Sequence, residues 1–183
     1  MSTRSSATIF VLLACLWVAA GCGRDPEDPA NHDGILVNLS DPDSVILQIQ
    51  VGVAAGSFTS YMNAFAQDFV FRPDPQDSIS LSIQNPGVFD HWNYSVEQQV
   101  MQQVLGRYAH RQVEFTQGDS TSNEPNVVII DQFYQLFLDS EQYHGLATFE
   151  MRLDSGAWRI SQWKDFRFMD PDTTWGVLKA MNR

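Results

Sequence analysis

The hydrophobic period of this chain changes once in its middle, from the 3.6 of a helix to the 2 of a strand, and that order limits the folds open to it. Before the change, Asp41-Pro42 reads as an N-cap followed by proline at the first helical position. Val45, Ile46, Ile49 and Val53 then recur at helical spacing, ending near 52–56. Ser57 restarts a short helix to Ala66, with Phe58, Tyr61, Met62 and Phe65 on one side. A turn at Gln67-Asp68 leads into a brief strand, Phe69-Val70-Phe71, stopped by Pro73 and Pro75. Residues 76–94 read as irregular. Ser95 opens a third helix with Gln98 at capping-box spacing and Val96, Val100 and Val104 on its apolar face, running to about Arg107. After it, Val113 and Phe115 alternate with Glu114 and Thr116 before a polar loop over 117–126. Val127–Leu138 and residues 143–153 are long strands, the second with Tyr143, Ala147, Phe149, Met151 and Leu153 on one face. Asp154-Ser155-Gly156 makes a hairpin turn into a strand over 157–168, and a short amphipathic helix over 174–181 closes the chain. Helices followed by a run of antiparallel strands form an α+β pattern, a curved antiparallel sheet packed on N-terminal helices.

The N-terminus has a different character. Arg4 gives a short positive region, residues 7–20 are apolar without a charge, and small residues at Ala19, Ala20 and Gly21 precede Cys22. That apolar run is shorter than the roughly 20 residues a helix needs to cross a bilayer core. The segment resembles the lipobox of bacterial lipoproteins, with Ala19 where leucine is usual. The resemblance implies cleavage before Cys22, a diacylglycerol thioether on its sulfur and acylation of the new amino group, a palmitate-bearing anchor held by buried methylenes. Gly23 after the cysteine implies the outer membrane, facing the periplasm. Residues 23–34 are rich in Asp, Pro and Gly and read as a flexible tether. The chain divides accordingly into a signal peptide (1–21), a lipidated cysteine and tether (22–40), a folded domain (41–168) and a C-terminal extension with a short helix (169–183).

Two cysteines occur in the whole chain, and Cys15 lies in the apolar run to be discarded. The remaining one carries the lipid, which excludes a disulfide or a multi-cysteine metal site in the mature protein. The net charge of −11 makes nucleic acid a poor partner, since affinity there comes from neutralising phosphates.

The domain resembles the nuclear transport factor 2-like superfamily, an α+β cone that also holds ketosteroid isomerases and SnoaL-like polyketide cyclases. Three stretches carry the resemblance: AFAQDFVFRPDP (64–75), the mid-chain helix before the strands, and the terminal hairpin GLATFEMRLDSGAWRISQWKDF (145–166) with Trp158, Ile160, Trp163 and Asp165. Strict alternation puts Trp158 and Ile160 on one face and Trp163 on the other, so a β-bulge near Ser161-Gln162 is expected to bring Trp163 and Asp165 back inside.

The resemblance implies a cavity in which relatives that are enzymes place a His or Asp as acid or base. Its expected lining is Tyr61, His91, Trp92, Asp131, Tyr134, Trp163 and Asp165, with Tyr94 as a further donor. Each titratable candidate has a plainer role. His91 can cap a turn in Asp90-His91-Trp92, His110 can complement a helix dipole, and His144 belongs to a polar strand face. Periodicity leaves the face of Asp131 open, and Asp165 can pair with Arg159 or Arg167. No H-x-x-x-H or H-E-x-x-H spacing, P-loop or G-x-S-x-G elbow occurs, so no metal or cofactor is expected. The preferred expectation is a lipid-anchored, non-enzymatic cone that holds a small apolar ligand or presents a surface to envelope proteins. The alternative is a tethered enzyme with His91 or Asp165 as base, and a homodimer through sheet faces is a third reading. An open pocket with His91 or Asp131 pointing inward favours the enzyme, and a filled interior counts against it.

Overall fold

Side-chain caps set the helix boundaries. The computed structural model describes residues 35–169 and 173–183, so the signal segment, Cys22, His32 and most of the tether lie outside the described residues. Asp41 accepts from Ser44 N at 2.8 Å and starts α1 (Pro42–Ala55), which Gly56 ends at φ 63°. Ser57 caps α2 (Phe58–Met62), which is shorter than expected because Phe65 already begins β1 (Phe65–Arg72). Asp74-Pro75 repeats the Asp41-Pro42 start signal and opens α3 (Pro75–Gln84) where an irregular segment was expected. Asn93, not Ser95, caps α4 (Tyr94–Arg107), accepting from Val96 N at 3.1 Å.

The strands follow as β2 (Arg111–Glu124), β3 (Val127–Leu138), β4 (Glu141–Asp154) and β5 (Ala157–Phe166), before α5 (Trp175–Met181). The expected polar loop over 117–126 belongs to β2 as far as Glu124, because backbone pairing with β3 holds a strand whose side chains are solvated on both faces. The sheet order is β1-β5-β4-β3-β2, with β2 to β5 an antiparallel meander. The edge strand β1 pairs parallel to β5, so the sheet is antiparallel except along that edge.

One face of the sheet forms the core. Along β3 the residues Val128, Ile130, Gln132, Tyr134, Leu136 and Leu138 are buried while their neighbours are partly or fully exposed. Along β4 the inward row is Tyr143, Gly145, Ala147, Phe149 and Met151, and Leu153 lies beyond it at 37 % exposure. On β5, Met151 pairs with Ile160 but Glu150 pairs with Gln162, which leaves Ser161 as the extra residue of a bulge. Ile160, Trp163 and Asp165 therefore all face inward. Helix α1 packs on α2 across Gly52, where an added Cβ would lie 2.5 Å from Tyr61 N.

Candidate functional site: the filled interior of the cone

Gly145 positions the first polar pair. It sits opposite Tyr134 in the β3–β4 register, and a Cβ there would lie 2.7 Å from the Tyr134 hydroxyl. With no side chain in the way, the phenol crosses β4 and donates to Asp165 Oδ1 on β5 at 2.8 Å. The same hydroxyl accepts from Trp175 N at 2.7 Å, and Asp165 Oδ2 accepts from Gly176 N at 2.6 Å. Thr174 Oγ1 accepts from Val177 N at 3.2 Å and donates to Asp77 Oδ2 at 2.7 Å. The opening N–H groups of α5, which no helix can satisfy internally, are thus bonded by the domain interior.

One turn further on, Lys179 reaches the other wall. Its Nζ lies 2.9 Å from Glu97 Oε1, and both side chains are 0 % exposed. The ammonium sits over the rings of Trp163 at 3.7 Å and Phe71 at 3.8 Å, with Trp175 at 5.8 Å. Glu97 also accepts from Tyr61 Oη at 2.6 Å and from Trp92 Nε1 at 2.8 Å. Around this network Tyr61, Phe65, Phe69, Trp92, Phe149, Trp163 and Trp175 are buried and fill the space between the sheet and the helices.

Burial governs the electrostatics. It pushes the Asp165 carboxyl up to about 7, against the opposing pull of the Tyr134 hydroxyl, the Gly176 N–H and the Lys179 charge. Burial likewise lowers the Lys179 ammonium, and Glu97 acts against that shift. The phenols of Tyr61 and Tyr134 are raised well above their ordinary value, first by burial and then by Glu97 and Asp165 respectively.

Of the expected lining, the interior contains Tyr61, Trp92, Tyr134, Trp163 and Asp165. His91 is not among them. It is exposed at φ 55° on the loop before α4, on the rim of an outer groove of about 660 Å³ that Phe89 and Arg72 also line. Asp131 also lies elsewhere. The inward orientation of Tyr134 puts odd-numbered β3 residues on the outer face, where Asp131 Oδ1 accepts from Thr148 Oγ1 at 2.6 Å. His110 is exposed just before β2, its backbone N–H bonded to Asp139 Oδ1 at 2.7 Å. His144 is half-buried on the outer face of β4, and Tyr94 is the half-buried first residue of α4.

Neither arginine pairs with Asp165. Arg159 bonds the carbonyl and side chain of Asn63, while Arg167 pairs with the buried Asp77, its Nε 2.9 Å from Oδ1. Both carboxylate oxygens of Asp165 are instead taken by Tyr134 and Gly176.

Glu97, Trp175 and Lys179 belong to the interior although they are not among its expected lining. A signal for them exists: Glu97 shares its helix face with Val100, Met101 and Val104, and Lys179 shares one with Trp175 and Leu178. Opposite charges set into two separate apolar stripes are the mark of a buried pair. Outside the interior, a second groove of about 390 Å³ crosses the outer sheet face between Thr116, Phe133, His144, Phe168 and Met169. Among the described residues, no group of three or more His, Cys, Asp or Glu side chains is placed to hold a metal ion. Nor is any described helix long and apolar enough to cross a membrane.

Solved structures share this architecture at low identity. A nuclear transport factor 2-like protein of unknown function from Pseudomonas putida superposes with a TM-score of 0.52 at 13 % identity, over 70 % of this chain and 85 % of the other. The fold is nuclear transport factor 2-like. A candidate aromatic ring hydroxylase from Novosphingobium aromaticivorans superposes with a TM-score of 0.57 at 13 % identity, over 74 % of this chain and 92 % of its own. A domain of unknown function from Nostoc punctiforme gives 0.54 at 11 %, over 70 % and 75 %. No protein-family model and no curated protein matches the sequence. At these identities a nuclear transport factor 2-like neighbour shares the architecture alone, and its chemistry does not transfer.

Proposed function

We propose that the chain is a lipid-anchored, non-enzymatic domain of the cell envelope that works through its outer surface. The observation that carries the non-enzymatic reading is the position of α5. Trp175 and Lys179, both 0 % exposed, pack against Tyr134, Trp163 and Glu97 inside the cone, in space that a bound substrate would need. The acids that could act as bases are already engaged, Asp165 by two donors and Glu97 by two donors and an ammonium. A general base must reach the proton it abstracts, and here the reach is occupied. The groove beside Phe133, Phe168 and Met169 offers apolar surface to a partner, with the Phe133 and Phe168 rings 4.9 Å apart.

Two experiments test the reading. Globomycin treatment, or Cys22→Ala, leaves an unprocessed precursor and releases no lipidated mature form; processing that survives both sinks the anchor at the outer membrane. The full chain shows no turnover of a β,γ-unsaturated ketone, and a rate that disappears in Asp165→Asn overturns the non-enzymatic reading.

One observation favours the rival enzyme. Asp165, with its carboxyl near 7 and a buried phenol donating to it, is tuned as a general base is. That reading requires α5 to withdraw during turnover, and the same ketone assay decides between the two.

A further inference from the structure

The surroundings of Lys179 go beyond an ion pair. A buried amine ordinarily has its protons bonded, because an unmet donor in a low-dielectric interior is costly. Here the ammonium has the Glu97 carboxylate at 2.9 Å in an ion-pair contact that lacks hydrogen-bond geometry. Two aromatic faces stand against it, Trp163 at 3.7 Å and Phe71 at 3.8 Å, with Trp175 further off, and the Asp165 carboxyl acts on it through charge. One carboxylate and two π-faces around a cation recognise positive charge without fixing the direction of its protons. The carboxylate is itself held in place by Tyr61 and Trp92 on separate elements, so its position does not depend on the lysine.

The element that delivers the lysine is short. Helix α5 has seven residues, and isolated helices below about 12 residues are marginal in water. Its place is set by what it inserts into the domain: Trp175, Lys179 and the N-terminal N–H groups bonded to Tyr134 and Asp165.

We propose that the cone interior is a binding site for a primary alkylammonium group, occupied in this structure by the chain's own Lys179, with α5 acting as a tethered competitor. The site is preformed by Glu97, Phe71 and Trp163, and its ligand class is a cation on a linear aliphatic stem. A tethered occupant competes at a high effective concentration, so the intact protein turns away simple amines. The inference concerns the interior and is independent of the anchor and of the outer surface.

The test is chemical rescue of Lys179→Ala in the full chain. n-Butylammonium, Nα-acetyl-lysine amide and n-butanol are compared at equal concentration, reading both the folded fraction by circular dichroism and the melting temperature. Either amine raises the Tm of the variant saturably, by about 5 °C well above its Kd, or restores folding where the variant alone is unfolded. n-Butanol does neither, and the wild type responds to none of the three. Rescue by butylammonium alone identifies a free alkylamine, and rescue by the lysine amide identifies a peptide side chain; both support the proposal. Equal rescue by n-butanol shows only an apolar void, and absence of rescue shows no site. Either result overturns it.

Discussion

Lys179 on the last helix and Glu97 on α4 form an ion pair with both side chains fully buried, 82 positions apart in sequence. Such a pair contributes little net stability, because desolvating two charges offsets most of their attraction. Its effect lies in what happens when one partner is removed. Lys179→Met leaves a carboxylate facing two aromatic rings, and Glu97→Gln leaves an ammonium without its counter-charge. Each single variant is expected to lose about 3–5 kcal/mol, whereas the double variant recovers much of that loss. Urea denaturation of the four proteins measures the coupling directly, and strictly additive losses would show that the two charges do not interact.

Asp165 gives the domain a characteristic pH dependence. Its carboxyl is raised from an ordinary value of 3.8 to about 7, so between those values the folded state holds a proton that the unfolded state has released. Stability from this group is therefore present at low pH and falls as pH rises from about 4 to about 7. Asp165→Asn removes the titration, and its stability curve is expected to be flatter than that of the wild type across this window. Unfolding free energies measured at half-unit pH steps for both proteins check this. Parallel curves for the two would assign the slope to other groups.

The sequence and the structure agree where the physics is local. The Asp41-Pro42 start and the Ser57 cap each follow from two or three adjacent residues, and the strand Val127–Leu138 from its own apolar run. Helix α3 carries the same Asp-Pro signal but is mostly polar, with Ile79 and Ile83 exposed, so hydrophobic period alone does not reveal it. Long-range pairing is a different matter. Nothing near Asp165 in sequence points to Gly176 or Tyr134, and Arg159 and Arg167 look equally suitable until their other partners, Asn63 and Asp77, are seen. The parallel pairing of β1 with β5 is equally hidden, since it joins strands separated by most of the domain.

Gly145→Ala tests how the Tyr134–Asp165 pair is accommodated. An added Cβ would come within 2.6 Å of Phe166 O and 2.7 Å of the Tyr134 hydroxyl, and the first of these is backbone that cannot swing aside. The variant is expected to lose about 1–3 kcal/mol, the usual cost of overpacking. It also displaces the phenol from Trp175 N, which loosens α5. Faster amide exchange across residues 175–181 than elsewhere in the variant is the signature to seek, and uniform acceleration would indicate a general loss of stability instead.

Insertion of one residue between Gln162 and Trp163 is the most severe of these changes, because the interior depends on the spacing of Ile160 and Trp163 across a single bulged residue. With the bulge, Ile160, Trp163 and Asp165 all face inward. With one more residue after Gln162, Trp163 and Asp165 turn to the outer face if Ile160 and the bulge stay in place, because a one-residue shift moves every following side chain across the strand. Trp163 then leaves Phe65, Phe71, Phe149 and Trp175, whose rings surround it at 4.9 to 6.5 Å. Lys179 loses one of its two nearest aromatic faces, and Asp165 can no longer bond Gly176. Sliding the whole of β5 instead breaks its pairing with both β4 and β1. Neither alternative preserves the core, so the insertion is expected to abolish the near-ultraviolet circular dichroism of the packed tryptophans and the cooperative thermal transition. Retention of both signals would mean that the strand absorbs the added residue in a second bulge and that the spacing across Ser161 is not what fixes the interior.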